Sequence, residues 1–136
     1  MGEMNVVFLS LGANLGNREE NISKAELALE KYVGQIHLRS KPYYSAPVGF
    51  DSPHEFCNMC LKLTTLLDPI ALLETIERIE TELGRNLAEK GTYADRVLDI
   101  DIIFYNDLKL ISERLTIPHP RWTERQFVVI PLMEIL

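Results

Sequence analysis

The sequence predicts an α+β fold, an antiparallel sheet carrying both of its helices on one face. Three observations lead there. Short apolar runs and two amphipathic helical stretches follow one another in the order strand, helix, strand, strand, helix, strand. Asn17 and Asp68 stand where the two helices would be capped, and Gly34 and Gly84 where they would stop. The second middle strand returns antiparallel after a short GFDSP loop. This βαββαβ order is the ferredoxin-like arrangement, and 136 residues suit a single domain spanning 1–136.

Each element has a local reason. NVVFLSL (5–11) is a short apolar strand, and GANLGN follows as a turn. The helix after Asn17 has Glu19 and Glu20 in its first turn, where the helix dipole favours them. Ile22, Ala25, Leu29, Tyr32 and Val33 form its apolar stripe, and Gly34 ends it. Residues 35–48 read as a strand in which Pro42 demands an edge or a bulge. Residues 54–65 form the next strand. Asp68 caps a second helix with Pro69 at its first position, and Leu72, Leu73, Ile76, Ile79, Glu80 and Leu83 trace its inner side. Residues 85–95 form a polar loop, long enough to suggest function. RVLDIDIIFY (96–105) is a strand, followed by a turn at Asn106-Asp107, a short return strand LKLI and an irregular segment. The two pieces make a C-terminal hairpin, and FVVIPLMEIL is a short helix interrupted by Pro131.

Composition narrows the function. A hydrophobic share of 46% and a charged share of 25% are those of an ordinary globular domain. No apolar run approaches the roughly 20 residues needed to span a bilayer, and the N-terminus is no convincing signal peptide. The expectation is a cytoplasmic protein without membrane contact. A net charge of -6 argues against nucleic acid as a partner. The charge is uneven: residues 84–125 hold seven of the 14 Lys and Arg but seven of the 20 Asp and Glu, so the acidic excess lies elsewhere. Cys57 and Cys60 have an odd offset in a strand, which sends their sulfurs to opposite faces, so buried, reduced thiols are expected.

The strand 96–105 contains a conflict. Asp99 and Asp101 lie two residues apart in one of the most apolar stretches, and so project from one face about 7 Å apart along the chain. Burying either unpaired would cost on the order of several kcal/mol. They form either a solvated face of an edge strand or a site for hard divalent cations, which prefer oxygen ligands. Arg85 and Arg96 bracket the loop before them, and His119, Arg121 and Arg125 lie in a Pro-stiffened segment beyond. Carboxylates with arginines suit phosphoryl transfer, where positioning and charge stabilisation dominate. Taken singly, Phe56 and Phe127 read as core, while for Asn58 the cap of a strand bulge, for His119 a satisfied loop histidine and for Arg121 a solvated loop residue stand as alternatives. GANLGN lacks the spacing of a phosphate loop and reads as a turn bordering the site at most.

LSLGANLGN, SAPVGFDSPHEFCN, IERIETELGR, RVLDIDIIF, LTIPHPRWTERQF and PLMEI occur in this order along the whole chain. Together they resemble the 6-hydroxymethyl-7,8-dihydropterin pyrophosphokinase family, whose R-x-x-D-[LI]-D-[LI] core is matched by Arg96, Asp99 and Asp101. The resemblance implies transfer of pyrophosphate from ATP to the hydroxymethyl oxygen of the dihydropterin, in folate biosynthesis. It implies two Mg²⁺ on Asp99 and Asp101, with Arg85, Arg96 and Arg125 facing the phosphates. His119 would lie against the phosphates, Thr116 near the ribose, Ile102 at the adenine, and Glu77 and Glu80 on the nucleotide side. The pterin would stack between Phe56 and Phe127, hydrogen-bonded by Asn58 and by backbone groups of Ser45, Ala46 and Val48. The partners expected are these small molecules, and the chain is expected to act as a monomer.

Departures from the family pattern fall mostly on the nucleotide side, with one at a ring-stacking position. Tyr93-Ala94-Asp95-Arg96 stands where many members have Trp-Gly-Pro-Arg, Leu87 replaces a second loop arginine, Glu77 a common glutamine and Phe56 a common tyrosine. Asp95 adds negative charge beside the phosphates. Two alternatives remain at this level: another metal-dependent phosphotransferase or phosphohydrolase using the Asp pair, or a non-enzymatic ferredoxin-like binding module.

Overall fold

The computed structural model describes residues 3–84, 95 and 97–136. The elements run β1 (Asn5–Ala13), α1 (Arg18–Tyr32), β2 (Gly34–Arg39), β3 (Tyr43–Ser45), β4 (Phe56–Thr65), α2 (Pro69–Glu82), β5 (Asp99–Tyr105), β6 (Leu110–Ile111), β7 (Thr116–Ile117), a 3-10 turn (Trp122–Glu124) and α3 (Gln126–Ile135). The sheet order is β2-β4-β1-β5 with β3 also on β4, every pairing antiparallel. This is the expected ferredoxin-like topology, and β1, the first strand in the chain, is flanked by β4 and β5.

The capping residues act as the sequence indicates. Asn17 Oδ1 accepts from the Glu20 amide at 3.1 Å, and Asp68 Oδ1 from the Ala71 amide at 2.8 Å. Helices α1 and α2 lie on one face of the sheet. Ile22, Ala25 and Leu29 of α1 and Leu72, Ile76 and Ile79 of α2 meet Val7, Leu9, Leu11, Leu61, Leu63 and Ile100 there. Tyr32, placed in the apolar stripe from sequence, is exposed instead, its ring under the Lys31 ammonium. Position 32 is the last of the helix, where Val33 already faces the core and leaves the tyrosine no room inside.

Several boundaries differ from the expectation, each for a local reason. The strand expected over 35–48 divides into β2 and β3, with Pro42 in the gap. Ser40 stitches the break: its amide donates to the Cys60 carbonyl at 3.0 Å and its Oγ accepts from the Cys60 amide at 3.0 Å. Gly34 begins β2 rather than ending α1 in a left-handed turn. Its role is close approach, since a Cβ there would stand 1.8 Å from the Thr64 carbonyl oxygen. Gly84 does end α2 with positive φ, at 103°. LKLI does not return along β5: Leu110 and Ile111 pair with Ile117 and Thr116 in a separate hairpin. Pro131 lies within α3 without ending it, because that helix is held by its buried face.

Helix α3 covers the sheet face opposite to α1 and α2. Val128, Leu132 and Ile135 pack there on Cys60 and Ile103, with Phe8, Phe104, Trp122 and Phe127 at the margin. A bulge makes this possible. Phe8 pairs with Phe104 but Leu9 with Ile102, so Ile103 is the extra residue and joins Phe104 on the far face. Cys57 and Cys60 fall on opposite faces, as their offset requires, and both are free and buried. Among the described residues no helix is long and apolar enough to cross a membrane.

Gly34→Ala should lower stability by about 3 kcal/mol, since backbone must move to admit the methyl group. Gly84→Ala should cost only about 1 to 2 kcal/mol, the strain of a positive φ with open space around it. Urea denaturation distinguishes the two. Burial raises the Cys57 thiol pKa and pushes that of Cys60 up to about 12. A raised pKa keeps the thiol protonated, and only thiolate is alkylated. Neither cysteine should therefore react with iodoacetamide at pH 8 in the folded protein, and both should after unfolding.

Candidate functional site

The face left open by α1 and α2 is where the chemically distinctive side chains gather, and strand register puts them there. Ile100 and Ile102 enter the core under the helices, so Asp99 and Asp101 project to the other face. By the same alternation Phe56 and Asn58 of β4 share that face, since Cys57 and Met59 point inward. Gly12 of β1 pairs with Asn58 on one side and with Asp99 on the other. One row therefore runs Tyr43, Asn58, Gly12, Asp99 across four strands. The next row runs Cys60, Ser10, Asp101, and α3 covers its Cys60 end.

Gly12 is the floor of the first row. A Cβ there would meet Asn58 Oδ1 at 3.2 Å and Phe56 Cδ1 at 3.8 Å. The missing side chain leaves room between the amide and the carboxylates. Asn58 is 3% exposed, and its Nδ2 donates to the Tyr43 carbonyl at 3.0 Å and to Ser45 Oγ at 2.8 Å. Both protons being used, the amide is fixed with Oδ1 as its remaining polar atom, and no described residue donates to that oxygen. A carbonyl oxygen placed this way can accept a hydrogen bond from a bound ligand.

A cleft of about 450 Å³ opens beside this row. Ser45, Ala46 and Val48 form one wall and Arg125 and Phe127 the other. Phe56 is half-buried and meets Phe50 edge to face at 6.4 Å, and Phe127 is half-buried under the Arg125 guanidinium at 5.8 Å. Of the residues expected to contact a flat ring, the structure thus brings Ser45, Ala46, Val48 and Phe127 into one cleft, with Phe56 and Asn58 on the strand paired to its wall.

His119 links the cleft to the carboxylates. Its amide donates to the Ile103 carbonyl at 3.1 Å, which holds it along the outer edge of β5. Its Nδ1 accepts from the Arg121 amide at 3.2 Å. Burial lowers its pKa most, Arg125 lowers it further, Asp99 opposes and Arg121 adds a little. The imidazole is therefore neutral at neutral pH with its proton on Nε2, a donor lying within the field of both Asp99 and Arg125. Arg121 itself is exposed and its Nε meets Glu124 at 3.2 Å.

The positions expected on the nucleotide side are less concentrated. Glu77 is half-buried and pairs with Arg114 at 3.3 Å. Thr116 is half-buried on β7, and Ile102 is buried beneath β5. Glu80 is wholly buried, and its Oε2 accepts from the Ile100 amide at 2.8 Å. Its carboxylate occupies an outward amide of edge strand β5, directly between Asp99 and Asp101 in sequence. Arg85, Arg96, Leu87, Tyr93 and the loop expected over 85–95, apart from Asp95, lie outside the described residues. Sequence reading missed Gly12, whose signal was a glycine inside a strand, and Asn14, considered below.

The carboxylate pair offers oxygen donors only, and among the described residues no third His, Cys, Asp or Glu groups with them. That donor set fits Mg²⁺, which commonly binds through one or two carboxylates and completes its shell with phosphate and water.

Known proteins share this architecture and sequence. A family model described as 7,8-dihydro-6-hydroxymethylpterin-pyrophosphokinase matches residues 8–136. A 2-amino-4-hydroxy-6-hydroxymethyldihydropteridine pyrophosphokinase of Porphyromonas gingivalis is 40% identical over 134 residues, covering 97% of this chain and 91% of that protein. The Bacillus subtilis protein of the same name is 36% identical over 132 residues, covering 96% and 78%. A folate synthesis bifunctional protein of Arabidopsis thaliana is 39% identical over 131 residues, 96% of this chain but 27% of that one. Among solved structures, a Plasmodium falciparum HPPK-DHPS superposes with a TM-score of 0.79 over 99% of this chain and 42% of that chain. At 18% identity the likeness is one of fold.

Replacing Glu80 tests its place in the strand edge. Glu80→Ala should destabilise by about 3 kcal/mol, combining an orphaned buried amide with a cavity. Glu80→Gln keeps an acceptor for Ile100 and should cost less, as read by thermal unfolding.

Proposed function

The chain belongs to the 7,8-dihydro-6-hydroxymethylpterin-pyrophosphokinase family, and from that premise we propose how its site does the family's reaction. The chain is an ATP-dependent diphosphotransferase that moves pyrophosphate from ATP to the hydroxymethyl group of 6-hydroxymethyl-7,8-dihydropterin in folate biosynthesis, releasing AMP. The observation that carries the site assignment is the row in which Asn58 and Asp99 flank Gly12, putting a ring-recognising amide and a cation-holding carboxylate on one surface.

The pterin lies over Gly12 in the cleft, between the rings of Phe56 and Phe127. Asn58 Oδ1 accepts from an N–H on the pterin's polar edge, and backbone groups of Ser45, Ala46 and Val48 complete the contacts. Aromatic faces supply area, and one buried polar group fixes orientation. This directs the hydroxymethyl group along the row toward Asp99. Asp99 and Asp101 would hold two Mg²⁺, which would supply neutralisation of triphosphate charge and a lowered pKa for the attacking hydroxyl.

The remaining side chains bind and orient. His119 donates Nε2–H to a phosphate oxygen, which its neutral state and fixed Nδ1 allow. Arg125 faces the phosphates from the cleft wall, and Arg85 and Arg96 complete the cationic side. Thr116 borders the ribose and Ile102 the adenine. Glu77, held by Arg114, shapes the nucleotide side, and Glu80 acts there through the β5 backbone. Attack on the β-phosphorus then depends on alignment and charge neutralisation rather than on a protein base. The protein works as a cytoplasmic monomer on small molecules.

Product analysis of the purified chain with ATP, Mg²⁺ and 6-hydroxymethyl-7,8-dihydropterin tests this. AMP should form only with pterin present. Asp99→Ala and Asp101→Ala should each lower kcat by roughly a thousandfold. Asn58→Ala should raise the pterin KM about tenfold or more, in line with a lost buried hydrogen bond. ADP or free phosphate formed without pterin would mean a phosphohydrolase instead.

A further inference from the structure

Asn14 follows β1 directly and is 3% exposed. Its Nδ2 donates to the His54 carbonyl at 3.0 Å and to Asp95 Oδ1 at 2.7 Å. A primary amide nitrogen carries two protons, and here one goes to each side of the site. His54 stands two residues before Phe56 and Asp95 four before Asp99. Segments that short reach only about 7 Å and 14 Å when extended. The ring-stacking residue and the first carboxylate are therefore tethered within those lengths of the two groups that Asn14 holds.

The grip on the β4 side is reinforced from the same stretch of chain. Arg18 Nη1 donates to the Glu55 carbonyl at 2.7 Å and meets Glu55 Oε1 at 3.7 Å. Its guanidinium lies over the Tyr44 ring at 5.0 Å, and Tyr44 Oη donates to Glu19 Oε1 at 2.9 Å. Residues 54 and 55 are thus held by two side-chain-to-carbonyl bonds, and Tyr44 borders the cleft. Asn14 also reaches the segment that leads into β5, through Asp95. Asp95, which the sequence suggested would repel phosphate, has one carboxylate oxygen turned to this amide.

We propose that Asn14 is a positioning residue that couples the pterin half of the site to the phosphate half through its paired bonds to His54 and Asp95. The segment GANLGNR is then a hub between the two substrates rather than a phosphate loop. The inference rests on the site reading above. It predicts that a ligand ordering one half favours binding in the other, because both orderings use the same amide.

The test is calorimetric binding of 6-hydroxymethyl-7,8-dihydropterin to the full chain, with and without a non-hydrolysable ATP analogue and Mg²⁺. The analogue should tighten pterin binding at least about fivefold in the wild type. Asn14→Ala and Asp95→Ala should each bring that factor to within about twofold of unity, and the double variant should be no worse than either. Asp95→Asn should keep the coupling, since its amide oxygen still accepts from Asn14. Wild-type coupling in either alanine variant would overturn the proposal, as would additive losses, or loss in Asp95→Asn equal to that in Asp95→Ala. Should Asn14→Ala fail to fold, Asp95→Ala at its half-buried position decides alone. Ligands that bind the wild type without coupling would sink this inference and leave the function intact. Binding of neither ligand, with no AMP released, would sink the function.

Discussion

The site depends on the double register of β1. This strand is paired along both edges, so its two alignments cannot slip independently of the core. A one-residue slip against β5 would turn Ile100 and Ile102 out from under the helices and Asp99 and Asp101 into the apolar layer. Hydrophobic burial therefore enforces the placement of the polar residues. Val7, Leu9, Leu11 and Ala13 are each fully buried on the helix side, and that fixes which face of Gly12 looks toward Asn58 and Asp99. The candidate site sits on the face that the core leaves over.

That face is divided rather than open throughout. Helix α3 and the edge-to-face chain of Phe8, Phe104 and Trp122 cover the end near Cys60 and Ile103. The bulge at Ile103 supplies the extra apolar side chain on which α3 rests. Without it the alternation would continue and Phe104 would point to the helices. The same bulge marks where the strand changes from displaying carboxylates to displaying core, a common use of bulges beside functional sites.

Strand β5 lies at the sheet edge, where unpaired backbone groups invite further pairing. Two of them are taken here by residues expected in the site. Glu80 accepts from the Ile100 amide, and the His119 amide reaches the Ile103 carbonyl. Blunting the edge and building the site are one arrangement. The bond to Ile103 brings His119 within the field of Asp99 and Arg125, where burial keeps it neutral. The Glu80 carboxylate of α2 is engaged with backbone, a placement that the residue type alone does not suggest.

The sequence by itself determined the element order, the helix caps, and which residues of each strand share a face. These follow from short-range rules: a capping oxygen meets an amide three residues on, and a strand alternates every two. Asp99 with Asp101, Phe56 with Asn58, and the separation of Cys57 from Cys60 were legible for that reason, and the motifs made the family legible too. Tertiary structure alone decided that Asn58, Gly12 and Asp99 form one row, since register between strands 40 or more residues apart leaves no local trace. It also decided the split of β2 from β3 at Pro42 and the fate of Gly34, whose freedom serves contact with Thr64 rather than a helix end. Glu80 and Asn14 show the same limit. A carboxylate or an amide advertises its hydrogen-bonding capacity in the sequence, but its partner is chosen by which backbone groups packing leaves within about 3 Å of it.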